Sequence, residues 1–284
     1  MTKEFNVSRL GNTFGAIVEG INLGNDTAPE TLAEVKKLWA EHQLLLFRNQ
    51  VLTEEQLVAF SRGLGDLEIH LRREYLSPDN PEILMISNIK DGDRAIGILS
   101  DTEVGWHYDQ IYLPKPAVGS LLYSVILPSD GGQTSFADMA AAYEALSDDM
   151  KAKLDGKKAI QSYEAFNAQF SVPTNKTQKK MSPDIAQPLV RTHPITGRKA
   201  LYICPGMTIE IVGLEPDDSR ETLDFLFDWC VRDEFVYTHD WVLGDALLWD
   251  NASTMHRREP FDSSEQRLMK RTTILPPEDI AQPF

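Results

Sequence analysis

The chain has little cysteine. Two stand in 284 residues, Cys204 and Cys230, and they do not form a C-x-x-C pair. So few, so placed, they fit buried thiols in a reducing compartment rather than a disulfide framework or redox motif. Long apolar runs are also missing, and stretches such as Leu44 to Phe47 are far too short to cross a bilayer. Met1-Thr2-Lys3-Glu4-Phe5 lacks the apolar core of a signal peptide, so a cytoplasmic protein is expected. Basic residues are in deficit, 28 Lys and Arg against 43 Asp and Glu, for a net charge of −15. A phosphate backbone demands a basic surface, which argues against a nucleic-acid partner and, less strongly, against anionic membranes. An anionic ligand would have to meet locally concentrated arginines. Histidine is scarce too, with only His42, His70, His107, His193, His239 and His256.

What is present fits one enzyme-sized domain over residues 1–284, since 42% hydrophobic residues are enough for a sizeable core. Residues 28–42 read as a helix, with Pro29 in the first turn and Leu32, Val35, Leu38 and Trp39 at helical spacing. Leu44 to Phe47 reads as a buried strand. Thr53-Glu-Glu-Gln56 is a capping box opening a second helix that stops near Gly63 or Gly65. From residue 83 the pattern turns to strands: 83–87, 118–126, 133–136, a hairpin formed by 189–193 and 199–203, then 235–242, 245–250 and 271–275, with helices at 139–146 and 218–232. Many short strands with helices mostly outside them predict a mainly β fold with flanking helices, a jelly roll. Residues 171–188 have no periodicity and three prolines, which predicts a long loop. A lid or insertion is therefore expected around 155–188.

The chemistry concentrates in Trp106-His107-Tyr108-Asp109 and in Trp249-Asp250-Asn251 with His256 downstream. Two imidazoles and one carboxylate are the ligand set of a facial triad that holds a metal and keeps positions open. On an extended strand His107 and Asp109 would share a face. The other histidines have structural readings: His42 at a helix C-terminus, His193 capping a turn, and His239 packed among Phe235, Tyr237 and Trp241. Zn²⁺ accepts the same three ligands, so a non-oxidative metal enzyme stays open on the triad alone.

Taken together with Gly131-Gly-Gln-Thr-Ser-Phe-Ala-Asp-Met139 and Gln266-Arg267-Leu-Met-Lys-Arg271, these segments resemble the taurine dioxygenase and 2,4-dichlorophenoxyacetate dioxygenase family. The likeness runs from about Phe14 to Leu275 in unbroken order. It implies a double-stranded β-helix and an oxygenase dependent on Fe(II), 2-oxoglutarate and O2. By the same resemblance His107, Asp109 and His256 would hold iron, while Arg267 and Thr134 would bind the distal carboxylate of 2-oxoglutarate. A guanidinium fork suits a carboxylate in a way an ammonium cannot. Arg271 and His70 would meet a small anionic substrate, Arg271 sharing a strand face with Arg267. The resemblance further implies a homo-oligomer and a catabolic role.

Two departures bear on the substrate. Taurine-specific members carry an asparagine four residues before the first ligand, where this chain has Glu103, and the segment Ile203 to Glu210 lacks a histidine often seen in phenoxyacetate-cleaving relatives. The wording of Ile86-Ser87-Asn88 and Gly131-Gly-Gln-Thr stands nearer the aryloxyalkanoate branch. Hydroxylation of a carboxylate-bearing, aryloxyalkanoate-like molecule with release of succinate and CO2 is expected, the alternative being a sister enzyme for sulfonates or alkyl sulfates.

Overall fold

The computed structural model describes residues 5–98, 101–168 and 182–278, and its layers follow from strand alternation. One sheet joins β1 (Asn6–Arg9), β2 (Ala16–Glu19), β3 (Leu44–Phe47), β4 (Leu84–Ser87), β8 (Gly119–Ile126), β16 (Ala246–Asp250) and β18 (Leu268–Ile274). Its spatial order is β1-β2-β3-β16-β8-β18-β4, with only β2 and β3 parallel. The second sheet joins β7 (Val104–His107), β9 (Thr134–Asp138), β15 (Val236–His239) and β17 (Thr254–Arg258) in the order β15-β9-β17-β7. A small antiparallel hairpin, β5 (Lys90–Asp91) with β6 (Arg94–Ala95), precedes β7.

All four side chains of β3 are fully buried, so each contributes about 1.5–3 kcal/mol by leaving water. They divide by parity. Leu44 and Leu46 join Leu84, Ile86, Leu122, Trp249 and Met269 against Phe136 of the second sheet, making the core between the sheets. Leu45 and Phe47 face the other way, onto α1 (Pro29–His42) and α2 (Glu54–Leu64) through Leu32, Val35, Leu57 and Phe60. The outer face of the second sheet is covered in the same manner. Ala137 and Met255 pack on α3 (Met139–Glu144) and on Leu223, Leu226 and Cys230 of a later helix, Pro216–Cys230. This is the expected jelly roll, two sheets with helices on their outsides.

Local signals act as anticipated at the helix starts. Thr53 and Gln56 complete a reciprocal capping box on α2. The helix runs through Gly63 to Leu64, because Gly63 is where α1 crosses: a Cβ there would meet Leu32 Cδ1 at 2.4 Å. Cys204 and Cys230 are both buried and free.

The segment 155–188 differs from its expected form as one lid or insertion. Its near end forms β10 (Lys158–Gln161) and its far end β11 (Ile185–Pro188), paired to each other and, through β10, to β14 (Thr208–Ile211). α4 (Asp148–Leu154) ends before β10 and α5 (Tyr163–Asn167) follows it, so the Pro216–Cys230 helix is α6. Polar Gln187 hides the strand at the sequence level: it is fully buried because its amide donates to the carbonyls of Ile111 and Leu113, at 3.3 and 2.8 Å. Residues 169–181 of the expected lid lie outside the described residues. The predicted hairpin is present as β12 (Val190–Thr192) and β13 (Lys199–Leu201).

Candidate metal centre

The two sheets bring His107, Asp109 and His256 to one mouth of the inter-sheet space. His256 sits opposite His107 across the β17–β7 pairing, and the imidazole centroids are 4.2 Å apart. The strand β17 that carries His256 was not among the strands read from the residue pattern. Thr-Met-His-Arg-Arg alternates outward Met255 with polar inward residues, so it lacks an apolar signature. β7 ends at His107 rather than continuing to Asp109, yet the alternation persists: Tyr108 turns away, and its buried hydroxyl donates to the Leu201 carbonyl at 2.7 Å. One ligand atom from each of the three residues lies within 4.8 Å of the others, and among the described residues no second such group of three forms.

Their protonation states suit a divalent cation. His107 Nδ1 lies 2.8 Å from the Gly105 carbonyl, which can only accept, so the proton sits on Nδ1 and Nε2 carries the free lone pair. Burial holds both imidazoles neutral, with His256 pushed down to about 3 by burial and then by His107. Burial alone would raise Asp109, but the Arg271 guanidinium leads the charges that overbalance it and hold the carboxyl well below the usual carboxylate range. Neutral imidazoles and an ionised carboxylate are the forms that bind metal. Arg271 Nη1 contacts both Asp109 oxygens, at 3.0 and 3.3 Å, and Ser120 Oγ donates to one of them at 3.3 Å.

Arg267 lies at the other end of the same space. The register shift between β18 and β8 puts the extra residue on β8, so β18 keeps its alternation, with Met269 in the inter-sheet core and Arg271 on the same face. Arg267 is 2% exposed; among the described residues its Nε has no partner, and the hydrogen bond of its guanidinium to the Gly132 carbonyl is long at 3.4 Å. Burial, then the nearby Arg258, pushes it down to about 9. Gly132, at φ +72°, lets the backbone run close: a Cβ there would stand 3.2 Å from Arg267 Nε. A buried guanidinium with unmet N–H groups is a seat for a carboxylate. Thr134 does not bond Arg267. Trp241 links them, since its indole N–H donates to Thr134 Oγ at 3.0 Å and its ring shares with Arg267 a cavity of about 180 Å³. Accepting from Trp241 leaves the Thr134 hydroxyl proton available to another acceptor.

His70 is half-buried, and its Nδ1 accepts from the Arg72 amide at 3.1 Å. Burial and then the Arg271 charge lower it to about 4. Sequence reasoning missed Glu68, two residues before it, which feels the same Arg271 and Asp109 charges; its burial raises it, and one carboxyl oxygen is buried without a partner among the described residues. The Leu67-Glu68-Ile69-His70 alternation was the available signal. Trp241 and Asn251 were also missed. The structural readings of the remaining histidines hold: His42 ends α1, His239 Nε2 pairs with Asp245 at 3.0 Å, and His193 Nδ1 accepts from the Ile195 and Thr196 amides while Nε2 meets Asp250 at 2.6 Å.

Residues 6–273 match the model of the taurine catabolism dioxygenase TauD, TfdA family. The chain belongs to that family. It is 35% identical to the (S)-phenoxypropionate/alpha-ketoglutarate-dioxygenase of Sphingobium herbicidovorans, covering 96% of each chain. It is 33% identical to the alpha-ketoglutarate-dependent 2,4-dichlorophenoxyacetate dioxygenase of Cupriavidus pinatubonensis, covering 92% of this chain and 94% of the other. A crystal structure of AAD-2 in complex with Mn(II) and N-oxalylglycine superposes with a TM-score of 0.82 at 32% identity, covering 97% of this chain and 98% of that one. TauD/TfdA membership makes the chain a dioxygenase that requires Fe(II), 2-oxoglutarate and O2, and it closes the non-oxidative alternative. No helix among the described residues is long and apolar enough to cross a membrane.

Proposed function

We propose that the enzyme hydroxylates the ether-bearing carbon of a small aryloxyalkanoate, with His107, Asp109 and His256 as metal ligands. The observation that carries this reading is the position of Arg271, a partly buried guanidinium in direct contact with Asp109. A carboxylate bound there has its α-carbon next to the metal site, and the aryloxyalkanoate names of the relatives fit that arrangement. Bound Fe(II) with 2-oxoglutarate and O2 supplies the oxidising power, 2-oxoglutarate leaving as succinate and CO2.

The protein's own part is placement. Arg267 and the free hydroxyl proton of Thr134 take the distal carboxylate of 2-oxoglutarate, so its other end faces the triad. Neutral His70 lines the substrate side without adding a second cation to Arg271. Hydroxylation next to an ether oxygen gives a hemiacetal, which collapses to a phenol and an oxo acid. A cytoplasmic, homo-oligomeric enzyme is part of the same proposal.

The test is a panel of phenoxyacetate, both enantiomers of 2-phenoxypropionate, taurine and an alkyl sulfate, with succinate and product measured in parallel. Phenol release with succinate in equal amount is expected from an aryloxyalkanoate. Coupled turnover on taurine or the sulfate ester alone would overturn the substrate class.

A further inference from the structure

The Trp249-Asp250-Asn251 segment contains no metal ligand, and its three side chains do different work. Trp249 fills the inter-sheet core. Asp250 accepts from the Ala252 amide at 2.6 Å and meets His193, tying the β12–β13 turn to the end of β16. Asn251 is fully buried, and its carboxamide is spent on backbone groups beside the triad. Its Oδ1 accepts from the Asp109 amide at 3.0 Å, and its Nδ2 donates to the Asp109 carbonyl at 2.8 Å and to the Ala117 carbonyl at 2.9 Å.

Asp109 needs this help because no strand holds it. β7 stops at His107, and Gln110 adopts φ +59°, so the chain turns at once. In a sheet, a neighbouring strand would satisfy both backbone groups of such a residue. Here one side-chain amide does so, supplying an acceptor and two donors in a single planar group. Among side chains of that length only asparagine has this set: aspartate lacks donors, and leucine lacks both. The loop 110–117 is closed at the same neck, where the Ala117 amide donates to Gln110 Oε1 at 3.0 Å.

We propose that Asn251 is a positioning residue that presets Asp109 against His107 and His256 before any metal arrives. The inference rests on the reading of those three residues as the metal ligands. An outer partner of a metal ligand is worth on the order of 10- to 100-fold in metal affinity. Asn251→Ser and Asn251→Asp should therefore weaken Mn(II) binding to the metal-free protein by roughly that factor.

The experiment measures Mn(II) affinity by electron paramagnetic resonance for wild type, both Asn251 variants, Asp109→Ala and Leu247→Ala. Leu247 is a fully buried core residue on the same strand β16 and serves as the control for general softening. Support requires that the Asn251 variants lose at least tenfold in affinity while Leu247→Ala, at similar loss of Tm, stays near wild type. Wild-type affinity in the Asn251 variants, or an equal loss in Leu247→Ala, would overturn the proposal. Undiminished Mn(II) binding by Asp109→Ala would instead overturn the ligand assignment beneath it. Amide hydrogen exchange on the wild-type protein needs no variant. The Asp109 amide should be protected before Mn(II) is added and change little afterwards; fast exchange that Mn(II) suppresses would show that the metal, not Asn251, orders the turn.

Discussion

The two ends of the inter-sheet space are built on opposite electrostatic plans. At the triad end every charge has a counter-charge from the protein: Asp109 pairs with Arg271, the imidazoles are neutral, and the Asp109 backbone is clamped by Asn251. At the Arg267 end a guanidinium is buried with its Nε unpartnered among the described residues and a second arginine near enough to depress it. The first end is organised in advance; the second is left to be completed by an anion. A facial triad must keep its shape to leave positions open, whereas a cosubstrate that enters and leaves on each turnover needs a seat that the protein does not itself fill. Predictions that break this contrast are therefore predictions about charge.

The largest effect is expected at the organised end. His107→Ala, Asp109→Ala and His256→Ala should each take 2-oxoglutarate turnover below detection, measured as succinate formed under saturating Fe(II). Full activity in any one of them would remove that residue from the centre. Next comes Arg271→Leu, which deletes the cation proposed to pair with the substrate's anionic group in a partly buried site. Such a deletion costs on the order of 2–5 kcal/mol, or roughly 30- to several-thousand-fold. The loss should fall on KM for the anionic substrate, with KM for 2-oxoglutarate within threefold and more succinate formed per hydroxylated product. Equal damage to both KM values would mean the two ends are not separate.

At the unfilled end the sign of the stability change is the informative quantity. Arg267→Met removes a buried, poorly satisfied cation, so the ligand-free variant should be more stable than wild type by about 1–3 kcal/mol. It should also lose the stabilisation that 2-oxoglutarate gives, which at a hundred times Kd is about 2.7 kcal/mol. Arg267→Lys keeps charge but not the fork, and should raise KM for 2-oxoglutarate with any substrate. Thermal unfolding with and without 2-oxoglutarate checks the pair. A destabilised ligand-free Arg267→Met would show that the protein already satisfies this arginine.

How much of this could be read in the sequence follows the same division. The helices and apolar strands were legible because Leu44 to Phe47, the Thr53 capping box and the α6 periodicity act over a few residues. β17 and β11 were not, because strands that line a site or bury an amide carry polar residues such as His256, Arg258 and Gln187 where apolar ones are the usual signal. The triad was legible as a ligand set and as a family resemblance, but the Arg271–Asp109 contact, the Trp241–Thr134 bond and the Asn251 clamp join residues 107 to 162 positions apart. No local pattern encodes such pairs. They exist only once the sheets close.

The smallest effect sharpens the contrast through His70, whose shift to about 4 has burial as its main cause and the Arg271 charge as the next. The direction follows from proton counting. An ordinary histidine, unfolded, titrates near 6.5, so as pH falls below that value the unfolded chain takes up a proton that the native state refuses. Stability contributed by His70 is thus fully present above about pH 6.5 and is lost as pH falls towards about 4. His70→Asn retains an acceptor for the Arg72 amide but does not titrate. Wild type should therefore lose stability more steeply than His70→Asn across that window, while the two run parallel at higher pH. Buried His256 titrates in both proteins and cancels in the difference. Repeating the comparison in the Arg271→Leu background should narrow the gap, because part of the depression comes from that charge. Identical curves in the original background would place His70 in solvent, away from the organised end.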